Sequence, residues 1–239
     1  MRTSSSLRKL RPAKVRSATR RRLFERQLAR LPLGRDPGVV QMGSTPGGWM
    51  IPSGLLGQSW LCYCAGIGGD ISFDLELISR HDATVRAFDP VADYVEDAMR
   101  KAGGEPRFSA YQAAIAVDDG PLRMQVTHHE HSSSVSGAGL YDSKTYVELP
   151  GRSLPSLMAE LGDTHVDLLK LDMEGAEYEV VPTLDLRGLG VKIFSTQMHH
   201  NGSVRQARSL VAQLSRDGYE LVGSKPAVKL TFARKDLLA

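Results

Sequence analysis

Short apolar runs alternate along the chain with segments whose apolar residues recur at helical spacing. The strand-like runs cover 60–66, 84–89, 107–117, 165–172 and 191–198. The helix-like segments cover 69–81, 91–102, 153–161, 175–185 and 203–217. Two last runs, 219–223 and 227–233, predict a hairpin that adds an antiparallel strand at or near one edge. This alternation predicts a doubly wound α/β fold, a mostly parallel sheet with helices on both faces.

Two further runs, "LRMQVTH" and "TYVELPG", flank a polar loop at 128–143 and predict additional strands. The loop contains His128, His129 and His131 together with serines and glycines. Such a composition suits a substrate lid or a plain surface loop, and the sequence leaves both open.

The charge of +3 is an average over two unlike parts. Residues 1–36 hold twelve basic residues against two acidic ones, which gives +10, and the rest of the chain amounts to −7. Phe24, Leu28 and Leu31 predict a basic amphipathic helix over 18–31. We therefore divide the chain into a basic N-terminal arm, 1–38, partly helical or disordered, and a domain, 39–239. The arm suits a solvated tail, a contact for anionic lipid or RNA, or a transit peptide.

The sequence favours a reducing, cytoplasmic setting. No apolar run approaches the roughly 20 residues that span a bilayer. The two cysteines, Cys62 and Cys64, lie two apart on a predicted strand, too close for an unstrained disulfide.

A glycine loop follows the first strand of the domain: Gly66, Ile67, Gly68, Gly69 and Asp70. A dinucleotide fingerprint would need a third glycine where Ile71 stands, and the Gly-Lys-Ser/Thr of a phosphate loop is missing. A carboxylate at position 70 would gain little beside a pyrophosphate, but it suits a ligand that carries an ammonium group. The loop therefore favours S-adenosylmethionine over NAD.

The second strand ends in Phe88, Asp89 and Pro90, about twenty residues beyond the loop. An acid at this place in a nucleotide-binding fold accepts the ribose hydroxyls. Aspartate is also a favoured helix cap, so Asp89 could serve only the helix that follows.

Four motifs together resemble the FkbM-type methyltransferases. They are Gly47-Gly48-Trp49, Gly66-x-Gly68-x-Asp70-x-Ser72-Phe73, Phe88-Asp89-Pro90 and Lys170-x-Asp172-x-Glu174-Gly175-Ala176-Glu177. The resemblance runs from about residue 43 to 201 and leaves out the arm. It implies a seven-stranded Rossmann-like sheet and a methyltransferase that uses S-adenosylmethionine, generally on hydroxyl oxygens of sugars, polyketides or related metabolites.

Two positions depart from such enzymes: Cys64 stands where many carry an acid, and Gln197 where the family often has glutamate. We expect Asp172, Glu174 and His199 to be catalytic, with His199 as a base of ordinary pKa near ~6.5 and Asp172 as its orienting partner. Asp172 is also expected to contact the cofactor, and Ala114 to lie near the adenine. Lys170 is expected to pair with a neighbouring acid, and Glu177 to serve the dipole of its helix.

These acids and His199 could also hold Mg²⁺, but their spacing is weak evidence, and no residue is assigned as a metal ligand. Alternative functions are an NAD-dependent oxidoreductase, an RNA methyltransferase or RNA-binding protein that uses the arm, and a cofactor-binding module without catalysis. The sequence does not identify the acceptor or the oligomeric state.

Overall fold

The computed structural model describes residues 12–45, 47–126, 133–135, 145–224 and 228–238. The first eleven residues and the three histidines of the polar loop lie outside the described residues, as does nearly all of that loop.

A seven-stranded sheet forms the centre of the molecule. Its strands are β3 (Leu61–Ala65), β4 (Thr84–Asp89), β5 (Phe108–Gln112), β10 (Leu168–Leu171), β11 (Ile193–Gln197), β12 (Tyr219–Ser224) and β13 (Lys229–Arg234). Their order is β12-β13-β11-β10-β3-β4-β5. Six of these strands run in one direction, and β13, second from the edge, runs opposite to them. This confirms the predicted mostly parallel α/β sheet.

Helices cover both faces of this sheet. They are α1 (Pro12–Leu28), α2 (Ser72–His81), α3 (Ala92–Ala102), α4 (Leu154–Leu161), α5 (Glu177–Val180) and α6 (Val204–Arg216). Side chains of β3 alternate between the faces: Cys62 and Cys64 pack with α2 and α3, while Tyr63 and Ala65 pack with α1, α4 and α6. The two-residue period of a strand thus divides one core into two layers.

Two smaller sheets accompany the central one. Strands β1 (Val39–Met42) and β2 (Trp49–Pro52) form an antiparallel pair. The other sheet has the order β6-β9-β7-β8, with β6 (Ala114–Ile115), β7 (Gly120–Val126), β8 (Ser133–Val135) and β9 (Thr145–Arg152). The run 107–117, expected to contain the third core strand, holds two strands, β5 and β6, which are separated at Ala113 and belong to different sheets.

Three elements differ from their predicted extents. The arm helix begins at Pro12 instead of residue 18 and ends at Leu28. Strand β1 is not evident in the sequence, because four residues give too little periodicity. The helix predicted over 175–185 is a four-residue α5 followed by a 3₁₀ turn, Val181–Thr183. Pro182 explains the change, because it has no N–H to continue an α-helix.

Part of the basic arm is packed onto the domain. Phe24 and Leu28 are 3% and 1% exposed and share a core cluster with Leu210 and Leu214 of α6. Arg20 donates a hydrogen bond of 3.0 Å to the carbonyl of Asn201. The division at residue 38 stays a prediction, but α1 contributes to the core. Among the described residues, no helix is long and apolar enough to cross a membrane.

The strand order places a topological switch point between β3 and β10. From β3 the chain continues to β4 and β5 on one side, and it returns through β10 to β11 on the other. Ligands of such sheets bind beyond the carboxyl ends of the strands at this point. The loops after β3 and β10, which hold most of the predicted site residues, meet there.

Candidate functional site

Gly66 brings the two loops of the switch point into contact. Its φ of +79° lies in the left-handed region, and a Cβ at this position would fall 2.0 Å from the carbonyl oxygen of Asp172. Only glycine fits both conditions. Its own carbonyl accepts a hydrogen bond of 2.6 Å from the ammonium of Lys170. The glycine loop is therefore packed directly on the loop that carries the predicted catalytic acids.

Asp89 ties the glycine loop to the end of β4. Its Oδ2 accepts hydrogen bonds from the backbone N–H groups of Ile67 and Gly68, at 3.0 and 3.2 Å, and its Oδ1 accepts one from Val91 at 2.9 Å. The side chain is buried, and burial raises its pKa although these hydrogen bonds oppose the shift. Asp89 thus holds the glycine loop and the turn before α3, but it does not cap this helix, whose N-cap is Val91 without a side-chain hydrogen bond. Its part in ribose binding stays a prediction.

Asp70 lies at the entrance to α2. Its Oδ1 accepts a hydrogen bond of 2.9 Å from the backbone N–H of Ser72, and its Oδ2 accepts one from the Ser44 hydroxyl. Partial burial favours the neutral acid, but these hydrogen bonds and Lys101 prevail and lower the pKa of Asp70. It is therefore a negative charge at the wall of the pocket.

The acids after β10 surround His199 at the end of β11. His199 Nε2 lies 3.6 Å from Asp172 Oδ1 and 3.4 Å from Glu174 Oε2. Glu174 has a φ of +52°, an uncommon conformation for a residue with a side chain. Asp172 was expected to be the orienting partner of the histidine. The structure instead gives Nδ1 to Glu177, 2.9 Å away, and Asp172 faces the other nitrogen.

The sequence suggested that Glu177 only serves the dipole of its helix, but the structure gives it further contacts. Its carboxylate is fully buried and accepts hydrogen bonds from the backbone N–H groups of Gly175 and His199, at 2.8 and 2.9 Å, in addition to the imidazole. The sequence carries no signal for this pairing, because the two residues are 22 positions apart on different elements.

Three acids change the titration of His199. Burial of this ring favours its neutral form, but the hydrogen bond to Glu177 and the charges of Glu177, Asp172 and Glu174 prevail and raise its pKa to about 9. The expectation of an ordinary pKa is therefore wrong. The amide nitrogen of Gln197 lies 2.9 Å from Nε2, which suits a neutral ring protonated on Nδ1. The charged ring donates from both nitrogens, so Gln197 would then present its amide oxygen.

A cavity of about 230 Å³ lies over these loops. The predicted residues that line it are Gly66, Ile67, Gly68, Gly69, Asp70, Phe88, Asp89, Pro90, Ala114, Asp172 and Glu174. His199 is not in its wall; it lies behind Asp172 and Glu174 with 7% of its surface exposed. The structure thus brings the predicted cofactor residues together and places the histidine one layer deeper.

Other residues of the wall were not predicted from the sequence as site residues, among them Trp49, Tyr94, Met124 and Lys229. Two ammonium groups lie near the Trp49 ring, that of Lys229 at 4.8 Å and that of Lys170 at 5.6 Å from the ring centre. A lysine within the apolar run of β13 was the one available signal, since buried lysines are rare. Lys170 donates to the Gly66 carbonyl instead of forming the expected close pair with an acid of its own motif.

Asp172, Glu174 and His199 are also grouped as metal ligands would be. One ligand atom from each lies within 4.8 Å of the other two. His199 is oriented through its second nitrogen by Glu177, an arrangement that also occurs behind metal-bound histidines. Geometry alone therefore permits either a proton site or a cation site here.

The strand order and the glycine-loop pocket at the switch point are those of a Rossmann-like α/β sheet. The sequence matches the family described as "Methyltransferase FkbM domain" over residues 61–221. The chain belongs to this family, as its motifs indicated, and it carries a methyltransferase domain. No curated protein sequence matches it.

Several solved structures are similar at low identity. A fibrillarin pre-rRNA processing protein of Methanococcus jannaschii has 10% identity and a TM-score of 0.44; the match covers 76% of this chain and 68% of the fibrillarin chain. The METTL16 methyltransferase domain has 12% identity and a TM-score of 0.43, with coverages of 74% and 59%. M. capricolum TrmK with S-adenosylhomocysteine has 8% identity and a TM-score of 0.42, with coverages of 75% and 64%. The chain spans less than two thirds of the last two.

Proposed function

We propose that the chain is an S-adenosylmethionine-dependent O-methyltransferase acting on a hydroxyl of a sugar, a polyketide or a related small metabolite. The observation that carries the proposal is the pocket at the switch point. In it a glycine loop with a negative charge, Asp70, faces carboxylates from the loop after β10. The choice of acceptor follows the family resemblance.

The wall of the pocket fits the proposed cofactor. Gly68 has a φ of +55° with open space where a Cβ would be, so a ligand can approach its backbone. A carboxylate offers about four lone-pair positions and Asp89 uses three, which leaves room for a ribose hydroxyl. Ala114 and Ile115 supply apolar surface for a base. When bound, S-adenosylmethionine would supply an electrophilic methyl group.

Asp172 and Glu174 are the groups that an acceptor hydroxyl would meet. Their carboxylates would align its oxygen with the bond from the methyl carbon to sulfur. One of these carboxylates would take the proton that the hydroxyl loses when its oxygen accepts the methyl group in exchange for sulfur. His199 stands behind both acids and, in its neutral form, can take that proton onward through Nε2.

This role predicts an unusual pH profile. With a pKa of about 9, His199 is mostly protonated in neutral solution, and the fraction able to accept a proton grows with pH. We expect the single-turnover methylation rate to rise toward a midpoint near pH 9. The variant His199→Gln should lose this rise, while its affinity for S-adenosylhomocysteine changes little. A wild-type rate that is flat between pH 7 and 10 would remove His199 from proton transfer.

A Mg²⁺ ion held by Asp172, Glu174 and His199 is the alternative, supported by their close grouping. Magnesium prefers oxygen ligands and near-ideal octahedral geometry, whereas imidazole suits zinc, copper, iron or nickel. We therefore favour the proton role. Activity should survive a chelator and should not respond to added Mg²⁺; loss of turnover that Mg²⁺ restores would reverse this choice.

Calorimetry separates the proposed cofactor from its rival. We expect S-adenosylmethionine and S-adenosylhomocysteine to bind and NAD not to bind. Asp70→Asn should weaken the binding of S-adenosylmethionine and of S-adenosylhomocysteine, since it removes the charge proposed to face their ammonium group. Asp93→Asn is the matched control, an exposed acid in the first turn of α3. Binding of NAD alone would favour an oxidoreductase. Binding without turnover, across screens of glycosylated and polyketide acceptors, would favour a module without catalysis.

We also propose a cytoplasmic location. Cys62 and Cys64 are free and buried side by side on β3, and burial raises the pKa of both thiols. Such thiols suit a reducing compartment.

A further inference from the structure

Lys229 places a buried positive charge in the wall of the pocket. It is the first residue of β13 and pairs with Gln197, so it stands at the sheet edge where the parallel strands end. Only 8% of its surface is exposed. Burying an ammonium is costly unless other groups compensate. A lysine in this position therefore needs an explanation beyond packing.

Contacts of Lys229 include two glycines before β2 and the first residue of that strand. Its ammonium donates hydrogen bonds to the carbonyls of Gly47 and Gly48, at 3.1 and 3.4 Å, and lies 4.8 Å from the centre of the Trp49 ring. Burial lowers its pKa, while the charges of Asp172 and Asp70 act in the opposite direction. These contacts hold the ammonium at the pocket.

Gly47 lies between this ammonium and the carboxylate of Asp70. Its carbonyl accepts the bond from Lys229, and a Cβ on it would fall 2.1 Å from Asp70 Oδ2. One residue without a side chain therefore separates a positive from a negative group, and all three line the same cavity. Opposite charges on either side of one glycine, in the wall of one cavity, suit an amino acid, whose ammonium and carboxylate are both attached to one carbon.

We propose that Lys229 and Asp70 form a subsite for the zwitterionic end of the cofactor, in which Lys229 binds the α-carboxylate and Asp70 the α-ammonium. This inference rests on the proposed use of S-adenosylmethionine. The α-carboxylate of the methionine group would thus be recognised by β13, an antiparallel strand outside the glycine loop. The Trp49 ring, 4.8 Å from the lysine ammonium, would help to hold that charge at the subsite.

The test compares two ligands that differ only in the carboxylate. S-Adenosylmethionine and its decarboxylated analogue are titrated into the full chain by calorimetry. Hydrogen bonds between two charged groups are strong, so the wild type should prefer the complete ligand by roughly 10- to 100-fold. Lys229→Met should lose most of that preference, with the analogue's affinity changed by less than about threefold.

Lys235→Met is the matched control, a lysine just beyond β13 that contacts Ser215 on the surface. It should bind both ligands as the wild type does. Equal weakening of both ligands in Lys229→Met would assign the lysine a structural role and overturn the proposal. If the wild type binds S-adenosylmethionine and its decarboxylated analogue with nearly equal affinity, the proposal is overturned, whether or not Lys229→Met folds. Failure of the wild type to bind either ligand would instead reject the proposed cofactor, and the subsite with it.

Discussion

His199 shows how far a single residue can be understood from its place in the sequence. A histidine after the fifth core strand was predicted to reach the site, and it does lie against Asp172 and Glu174, the acids predicted to be catalytic. Its titration could not be predicted, because three carboxylates from two other segments determine it. Sequence patterns place a residue on an element, but its electrostatic neighbours come from tertiary packing.

The raised pKa of His199 also links stability to pH. The folded state binds the proton more tightly than the unfolded chain, whose histidine titrates near 6.5. The resulting stabilisation is fully present below pH 6.5 and disappears as pH rises through about 9. Its size is on the order of 3 kcal/mol. Urea unfolding between pH 6 and 10 should show the decline, and His199→Gln should flatten it. An equal decline in that variant would contradict the pairing.

Gly66 offers a second test at the scale of one residue. Gly66→Ala should abolish binding of S-adenosylhomocysteine and destabilise the fold, because the new methyl group meets the Asp172 carbonyl. Gly104→Ala is the control: it has a similar φ of +84° but open space around it. That variant should lose only the roughly 1–2 kcal/mol of left-handed backbone strain. Similar losses in both, measured by calorimetry and urea unfolding, would mean that the close contact is unimportant.

At the scale of elements, the sequence predicted the core strands well and their partners less well. Runs such as 84–89 match their strands because both ends are bounded by turn residues. The pattern of β7 and β9 is equally clear, yet it contains no information on which strands they join. They pair with each other in a separate sheet that reaches the cavity through Met124. Pairing between distant segments is a property of the whole fold.

The first helix provides a stability test at this scale. Phe24→Ala removes a side chain buried between α1 and the core, and we expect a loss of about 3 kcal/mol or more in the free energy of unfolding. Leu23→Ala, one residue away and 57% exposed, should change it by less than about 0.5 kcal/mol. If the two variants are equally stable in urea, α1 is not part of the folded domain in solution.

Across the whole molecule, charge is distributed as unevenly as the sequence indicated. Arg22 and Arg26 are exposed on α1 at four-residue spacing, on the side of the helix that faces away from the core, and Arg30 is exposed in the turn that follows. Arg205 and Arg208 of α6 are exposed as well, and Arg208 contacts Gln27. Of the alternatives left open for the arm, we therefore propose a contact with an anionic partner.

That proposal predicts measurable binding to a polyanion. A single-stranded uridine RNA serves as the probe, and its affinity should fall steeply as salt rises. Replacing Arg22, Arg26 and Arg30 by Gln should reduce the slope of log affinity against log salt by about 2. Arg80→Gln and Arg100→Gln together serve as the control, since both side chains pair with acids of the body. If the triple replacement leaves this slope unchanged, the three arginines do not contact the RNA and are simply exposed to solvent.

The contact between Gly66 and the Asp172 carbonyl restricts how such an enzyme can change its substrates. Because the two backbones are in contact, neither loop can be lengthened or reshaped without displacing the other. A change in the loop that would bind the cofactor therefore also changes the loop that carries Asp172 and Glu174. Met124 belongs to a sheet outside this contact. Efforts to broaden the range of acceptors should therefore begin with libraries in β7 and β9 and leave the switch point untouched.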